Sequence, residues 1–170
     1  MTQIMLSVQP KWCELIAVGK KKIEVRTTVP NTLPCEVLMY QTKKKWIYKL
    51  LKKLGLYQGK VIGKFTIGHV DKLYHKQWVN QGSETYTTED FGNNDILERA
   101  CLDIVELCAY GKGKTLYAWH IDDLIIFDQP KELGEFKIYT KRFCNLTNNI
   151  QLDFFPLTKA PQSWQYVKGE

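Results

Sequence analysis

Short apolar runs separated by turn residues organise this chain, and the spacing within each run predicts its element. Gln3 to Val8 reads as a first strand, and Pro10 then suits the first turn of a helix, where its missing N–H costs no hydrogen bond. Trp12, Cys13, Leu15 and Ile16 give that helix an apolar face, with Lys11 and Glu14 turned outward, and Gly19 supplies its left-handed stop. The period then changes to two. Ile23 and Val25 fall on one side of a strand, while Lys22, Glu24 and Arg26 fall on the other, with Lys21 in the turn before it. Pattern alone reads this as a solvent-facing strand edge of mixed charge.

Further along, Val29 to Pro34 marks a turn through its two prolines, and Cys35 to Tyr40 resumes as a buried strand. Lys43 to Leu54 combines six lysines with Trp46, Ile47, Leu50, Leu51 and Leu54 at three- and four-residue spacing, which predicts an amphipathic basic helix ended by Gly55. Gly59 to Tyr74 is β-rich, with Gly63 and Gly68 at expected bends. Asn80 to Asn94 is polar and reads as a surface excursion with a helical turn at Thr88 to Asp90. Helices are expected at Asp95 to Ala100 and at Ile104 to Tyr110, the second capped by Asp103. Leu116 to Ile121 and Leu124 to Phe127 read as strands parted at Asp122 and Asp123, and Ser163 to Val167 as a closing strand. Lys137 to Leu157 shows further strand-like alternation, including Lys137, Tyr139, Lys141 and Phe143. The pattern as a whole predicts an α+β protein.

Composition narrows the class. A chain of 170 residues, 44% hydrophobic with five tryptophans, suits one folded domain with a substantial core and excludes a disordered chain. The five cysteines, Cys13, Cys35, Cys101, Cys108 and Cys144, are odd in number and form no CxxC pair, so free thiols are expected rather than a disulfide framework or a zinc site. The amino terminus lacks a basic segment followed by an apolar core, and no apolar run reaches membrane-spanning length, which leads us to expect a cytoplasmic protein without membrane contact. A net charge of +6 favours an anionic partner, most simply nucleic acid. Neither His69 nor His75 has a ligand partner at a metal-binding spacing, so no metal site is expected, and no cofactor is implied. The glycines of Gly111-Lys112-Gly113-Lys114 lack the spacing of a phosphate-binding P-loop.

The spacing Gly19, Lys21, Glu24, Arg26 resembles the GxKxxExR motif of the ASCH domain family, within the PUA-like β-barrels. Three further stretches are similar to the family in the same order: Leu6 to Trp12, Gly59 to Phe65, and the pair Ala118 to Ile121 with Pro161 to Trp164. The resemblance implies a small mixed PUA-like β-barrel flanked by short helices, one domain over residues 1–170, with insertions near 43–55, 80–94 and 137–158. It also implies a cleft between the first helix and the barrel. In a binding role, Lys11, Lys21 and Arg26 would hold phosphate or a base edge of RNA or a nucleotide-like ligand. Trp12, Trp119, Trp164 or Tyr166 would offer a stacking face, Ser163 a hydrogen bond, and Glu24 a contact to a base donor or a grip on Arg26. In an enzymatic role, as a small amidohydrolase on modified nucleosides or a ribonuclease, Lys21 and Glu24 would be catalytic. Glu24 stands where the amidohydrolase type carries a threonine.

Overall fold

The computed structural model describes residues 1–43, 59–78, 83–88, 94–144 and 149–168. It begins with strand β1 (Thr2–Val8) and helix α1 (Pro10–Ala17). The amides of Trp12 and Cys13 both bond the Gln9 carbonyl as α1 starts. Gly19, at φ 71°, ends the turn as the spacing predicts, and the amides of Lys20 and Lys21 then return to the Leu15 carbonyl. Strands β2 (Ile23–Arg26), β3 (Cys35–Gln41), β4 (Val61–Ile67), β5 (Val70–Trp78) and β6 (Ser83–Thr87) follow. Helices α2 (Asn94–Ala100) and α3 (Ile104–Gly111) precede β7 (Leu116–His120), β8 (Asp122–Lys131), β9 (Lys137–Cys144), β10 (Asn149–Pro156) and β11 (Trp164–Tyr166). This is the mixed α+β architecture that the pattern predicts. Among the described residues, no helix is long and apolar enough to cross a membrane.

The chain divides into two units. The first comprises residues 1–13, 36–65 and 124–170 and is built on a five-stranded sheet in the order β11-β1-β3-β4-β8. β3 lies in the middle and buries Val37, Leu38, Met39 and Tyr40, as expected of a strand covered on both faces. β4 alternates strictly, with Val61, Gly63 and Phe65 inward. Met5, Leu38, Tyr40, Val61, Phe136, Leu157 and Val167 form one core cluster. The predicted insertion is an antiparallel β9-β10 pair running from Lys137 opposite Pro156 to Cys144 opposite Asn149.

The second unit comprises residues 14–35 and 66–123, with a four-stranded sheet in the order β2-β7-β5-β6. Its core gathers Ile23 and Val25 from β2, Leu73 from β5, Tyr86 from β6, Ile96 and Ala100 from α2, Leu107 from α3, and Leu116 and Ala118 from β7. Both helices lie where their spacing places them. Asp103 caps α3 through a reciprocal pair, its Oδ1 accepting from the Glu106 amide at 2.7 Å while Glu106 Oε2 accepts from the Asp103 amide at 3.3 Å.

Two expectations are corrected here. The polar stretch 80–94 is not wholly a surface excursion, because Ser83–Thr87 pairs with β5 and Tyr86 is completely buried. Its hydroxyl donates to the Lys114 carbonyl at 2.9 Å, which makes a phenol acceptable in the core. The charged side chains of the motif are not all solvent-facing either: Lys22 is exposed as expected, but Lys21 is only 3% exposed and Glu24 5%. The basic helix expected from Lys43 to Leu54 lies, beyond Lys43, outside the described residues.

Candidate functional site

β2 pairs with β7 in antiparallel register, Ile23 opposite His120, Glu24 opposite Trp119, Val25 opposite Ala118 and Arg26 opposite Tyr117. Cross-strand partners share a face, so Ile23 and Val25 enter the core with Ala118, while Glu24 and Arg26 project from the other side with Trp119 and Tyr117. Glu24 is the centre of the charged group. Its Oε1 accepts from Arg26 Nη2 at 2.8 Å, and its Oε2 lies 3.4 Å from Lys21 Nζ. Lys21 also donates to the Ala100 carbonyl at 2.6 Å. That carbonyl ends α2, where helical geometry leaves acceptors without intrahelical donors, and the Lys22 amide satisfies its neighbour, the Arg99 carbonyl, at 2.8 Å. The motif turn therefore fastens β2 to the end of α2.

Burial sets the electrostatics. Desolvation holds the Lys21 amine below its ordinary value, an effect that the Glu24 carboxylate opposes. Tyr110, on α3, accepts a hydrogen bond from the Arg26 side chain, and burial raises its phenol above the usual range. One carboxylate thus faces two basic side chains in a nearly dry setting.

The remaining expected site residues are distributed between the units. Trp119 is fully buried in the second unit and presents no exposed ring face. Lys11, Trp12, Ser163 and Trp164 belong to the first unit. There, Lys11 Nζ lies 4.2 Å from the Trp12 ring centroid, and Trp164 meets Tyr166 edge to face at 5.5 Å. The Ser163 carbonyl accepts from the Ser7 amide at 2.9 Å, and Ser7 Oγ donates to the Pro161 carbonyl at 2.6 Å. An open cavity of about 710 Å³ adjoins this turn, lined in part by Ser7, Lys43, Lys159 and Pro161.

A second group of polar side chains escapes sequence spacing. Asp71 on β5 receives His120 Nε2 at 2.6 Å and His69 Nε2 at 2.9 Å. The signal available in the sequence was the His69-x-Asp71 pair, which a strand places on one face, but His120 joins it only through the β5-β7 register. His75 has a different setting, stacked obliquely on Tyr86 with its Nε2 3.5 Å from Glu84 Oε2.

The family model of the ASCH domain matches residues 6–131. The chain belongs to the ASCH domain family. Among solved structures, this ASCH protein is similar to ASCH from Zymomonas mobilis, at 17% identity and a TM-score of 0.58 over 98% of this chain and 87% of that one. Two point mutants of the Zymomonas mobilis protein match at 15% and 16% identity with TM-scores of 0.56 and 0.55. The first covers 99% of this chain and 91% of its own, the second 98% and 88%. At such identities the likeness establishes a shared fold and leaves the activity to be argued from the site. No curated protein matches the ASCH chain by sequence.

Proposed function

We propose that this ASCH protein binds RNA or a nucleotide-like ligand through positive charge gathered at the Gly19 to Arg26 motif. The observation that carries the reading is the buried group itself, in which Glu24 is shared by Lys21 and Arg26. An ammonium and a guanidinium are the donor types that hold a phosphate oxygen. Glu24 holds the guanidinium in position rather than repelling the anion. The protein's net charge of +6 supports the same class of partner, and the Lys11–Trp12 pair offers a cation beside a ring. The reading places the protein in a reducing cytoplasm, in keeping with the free thiols of Cys13, Cys35, Cys101 and Cys108.

A second reading rests on the lowered Lys21 amine, which a neighbouring carboxylate could serve as proton acceptor in hydrolysis of modified nucleosides or RNA. One experiment separates the two. Labelled single-stranded RNA is titrated against the wild type, Arg26→Gln and Lys11→Ala across a salt series, while RNA cleavage and deacylation of acylated nucleosides are followed in parallel. Each lost phosphate contact should flatten the log–log salt slope by about 0.7. Salt-independent binding that neither substitution changes would overturn the binding reading. Turnover abolished by Glu24→Gln with RNA affinity retained would establish the hydrolase instead.

A further inference from the structure

We propose that His69, Asp71 and His120 form a binding site for a divalent transition-metal ion of the zinc type. The site follows from strand pairing. Val70 lies opposite Trp119 and Asp71 opposite Ala118, and the His120 amide bonds the His69 carbonyl at 3.1 Å, so the register continues to place His69 opposite His120. Asp71 is two residues along from His69 and shares its face. Two imidazoles and one carboxylate thus converge from neighbouring strands, with their candidate donor atoms all within 4.8 Å of one another. Tetrahedral donors at about 2.1 Å from an ion stand roughly 3.4 Å apart, so small side-chain movements suffice.

Donor chemistry selects the class of ion. Imidazole nitrogens suit zinc and its first-row neighbours, whereas magnesium and calcium prefer all-oxygen sites. Three protein donors leave a position open to water, and the site faces solvent through His69, whose side chain is 67% exposed. None of Lys21, Glu24 and Arg26 contributes a donor to this cluster. The inference is therefore independent of the RNA reading.

Arg99 adds a second consequence. Its Nη2 lies 3.4 Å from His120 Nδ1, and a guanidinium only donates, so without metal the neutral imidazole accepts at Nδ1 and carries its proton on Nε2 toward Asp71. An ion bound at Nε2 requires the proton on Nδ1. Arg99 must then withdraw toward Asp95, which it already meets at 3.2 Å. Arg99→Gln replaces the opposing donor with an amide oxygen able to accept from Nδ1, and should tighten metal binding about tenfold.

The test is titration of metal-free full-length protein with Zn²⁺ by calorimetry and with Co²⁺ by visible absorption. The expected result is one ion per chain, with a Co²⁺ band that Zn²⁺ displaces. His69→Ala and Asp71→Asn should each weaken Zn²⁺ binding by at least about tenfold, while His75→Ala leaves it unchanged. His69 is exposed and outside the core, so its replacement tests binding without threatening the fold. Failure of the wild type to take up Zn²⁺, or uptake that His69→Ala leaves intact, would overturn the proposal.

Discussion

Lys21 Nζ donates to the Ala100 carbonyl oxygen at 2.6 Å, tying the motif turn to the last residue of a helix far along the chain. The same amine meets Glu24, whose other oxygen meets Arg26, so loss of the two members has unequal consequences. Lys21→Met leaves a neutral chain of similar length and an intact Glu24–Arg26 pair. Glu24→Gln leaves a buried lysine and a half-buried arginine without this carboxylate. Urea denaturation should find Glu24→Gln destabilising by about 3 kcal/mol or more, and Lys21→Met by clearly less. The reverse order would show that Glu24 is not the hub.

The lowered Lys21 value also fixes a pH dependence. The unfolded amine keeps its ordinary value of 10.5, so between the folded value and 10.5 the unfolded chain binds more protons. Stability attributable to this group therefore rises with pH through that alkaline window, as charging a buried amine becomes unnecessary. The stability of the wild type minus that of Lys21→Met, measured by denaturation from pH 7 upward, should increase towards pH 10.5. A flat or falling difference would contradict the burial account.

Gly111 gives a packing prediction. A side-chain carbon built there would stand 1.9 Å from the Tyr86 hydroxyl and 2.5 Å from its Cζ. Gly111→Ala should cost about 2 kcal/mol in urea denaturation. Adding Tyr86→Phe should recover only part of that loss, because the ring carbon still obstructs. Full recovery would mean that the hydroxyl alone sets the limit.

Asp103→Ala should cost about 1 kcal/mol by removing the acceptor for the Glu106 amide. Asp103→Asn, which retains an acceptor oxygen, should recover most of it. The same denaturation measurement compares the two.

The features legible in the sequence are those set by near neighbours. Asp103 and Gly19 mark helix ends because a cap needs only the adjoining turn, and Pro10 marks a start for the same reason. The family and its α+β class were legible too, since their landmarks are local motifs spread in order along the chain. What sequence hid depends on distant partners. Tyr86 is one apolar residue in a polar run, and only pairing with β5 gives it a core to enter. The charges of Lys21 and Glu24 read as solvated because the Ala100 carbonyl that receives Lys21 comes from a separate helix. His69 and His120 meet through register, which residue spacing cannot express.

β2 is the terminal strand of its sheet among the described residues, four residues long, with Glu24 and Arg26 drawn inward. A foreign strand seeking to extend the sheet there finds little length to match, and slipping the register would tear both charges from their partners. The ion group therefore guards against self-association as well as joining a strand to a helix. Glu24→Leu would remove that guard, so its effect should be visible as aggregation during refolding.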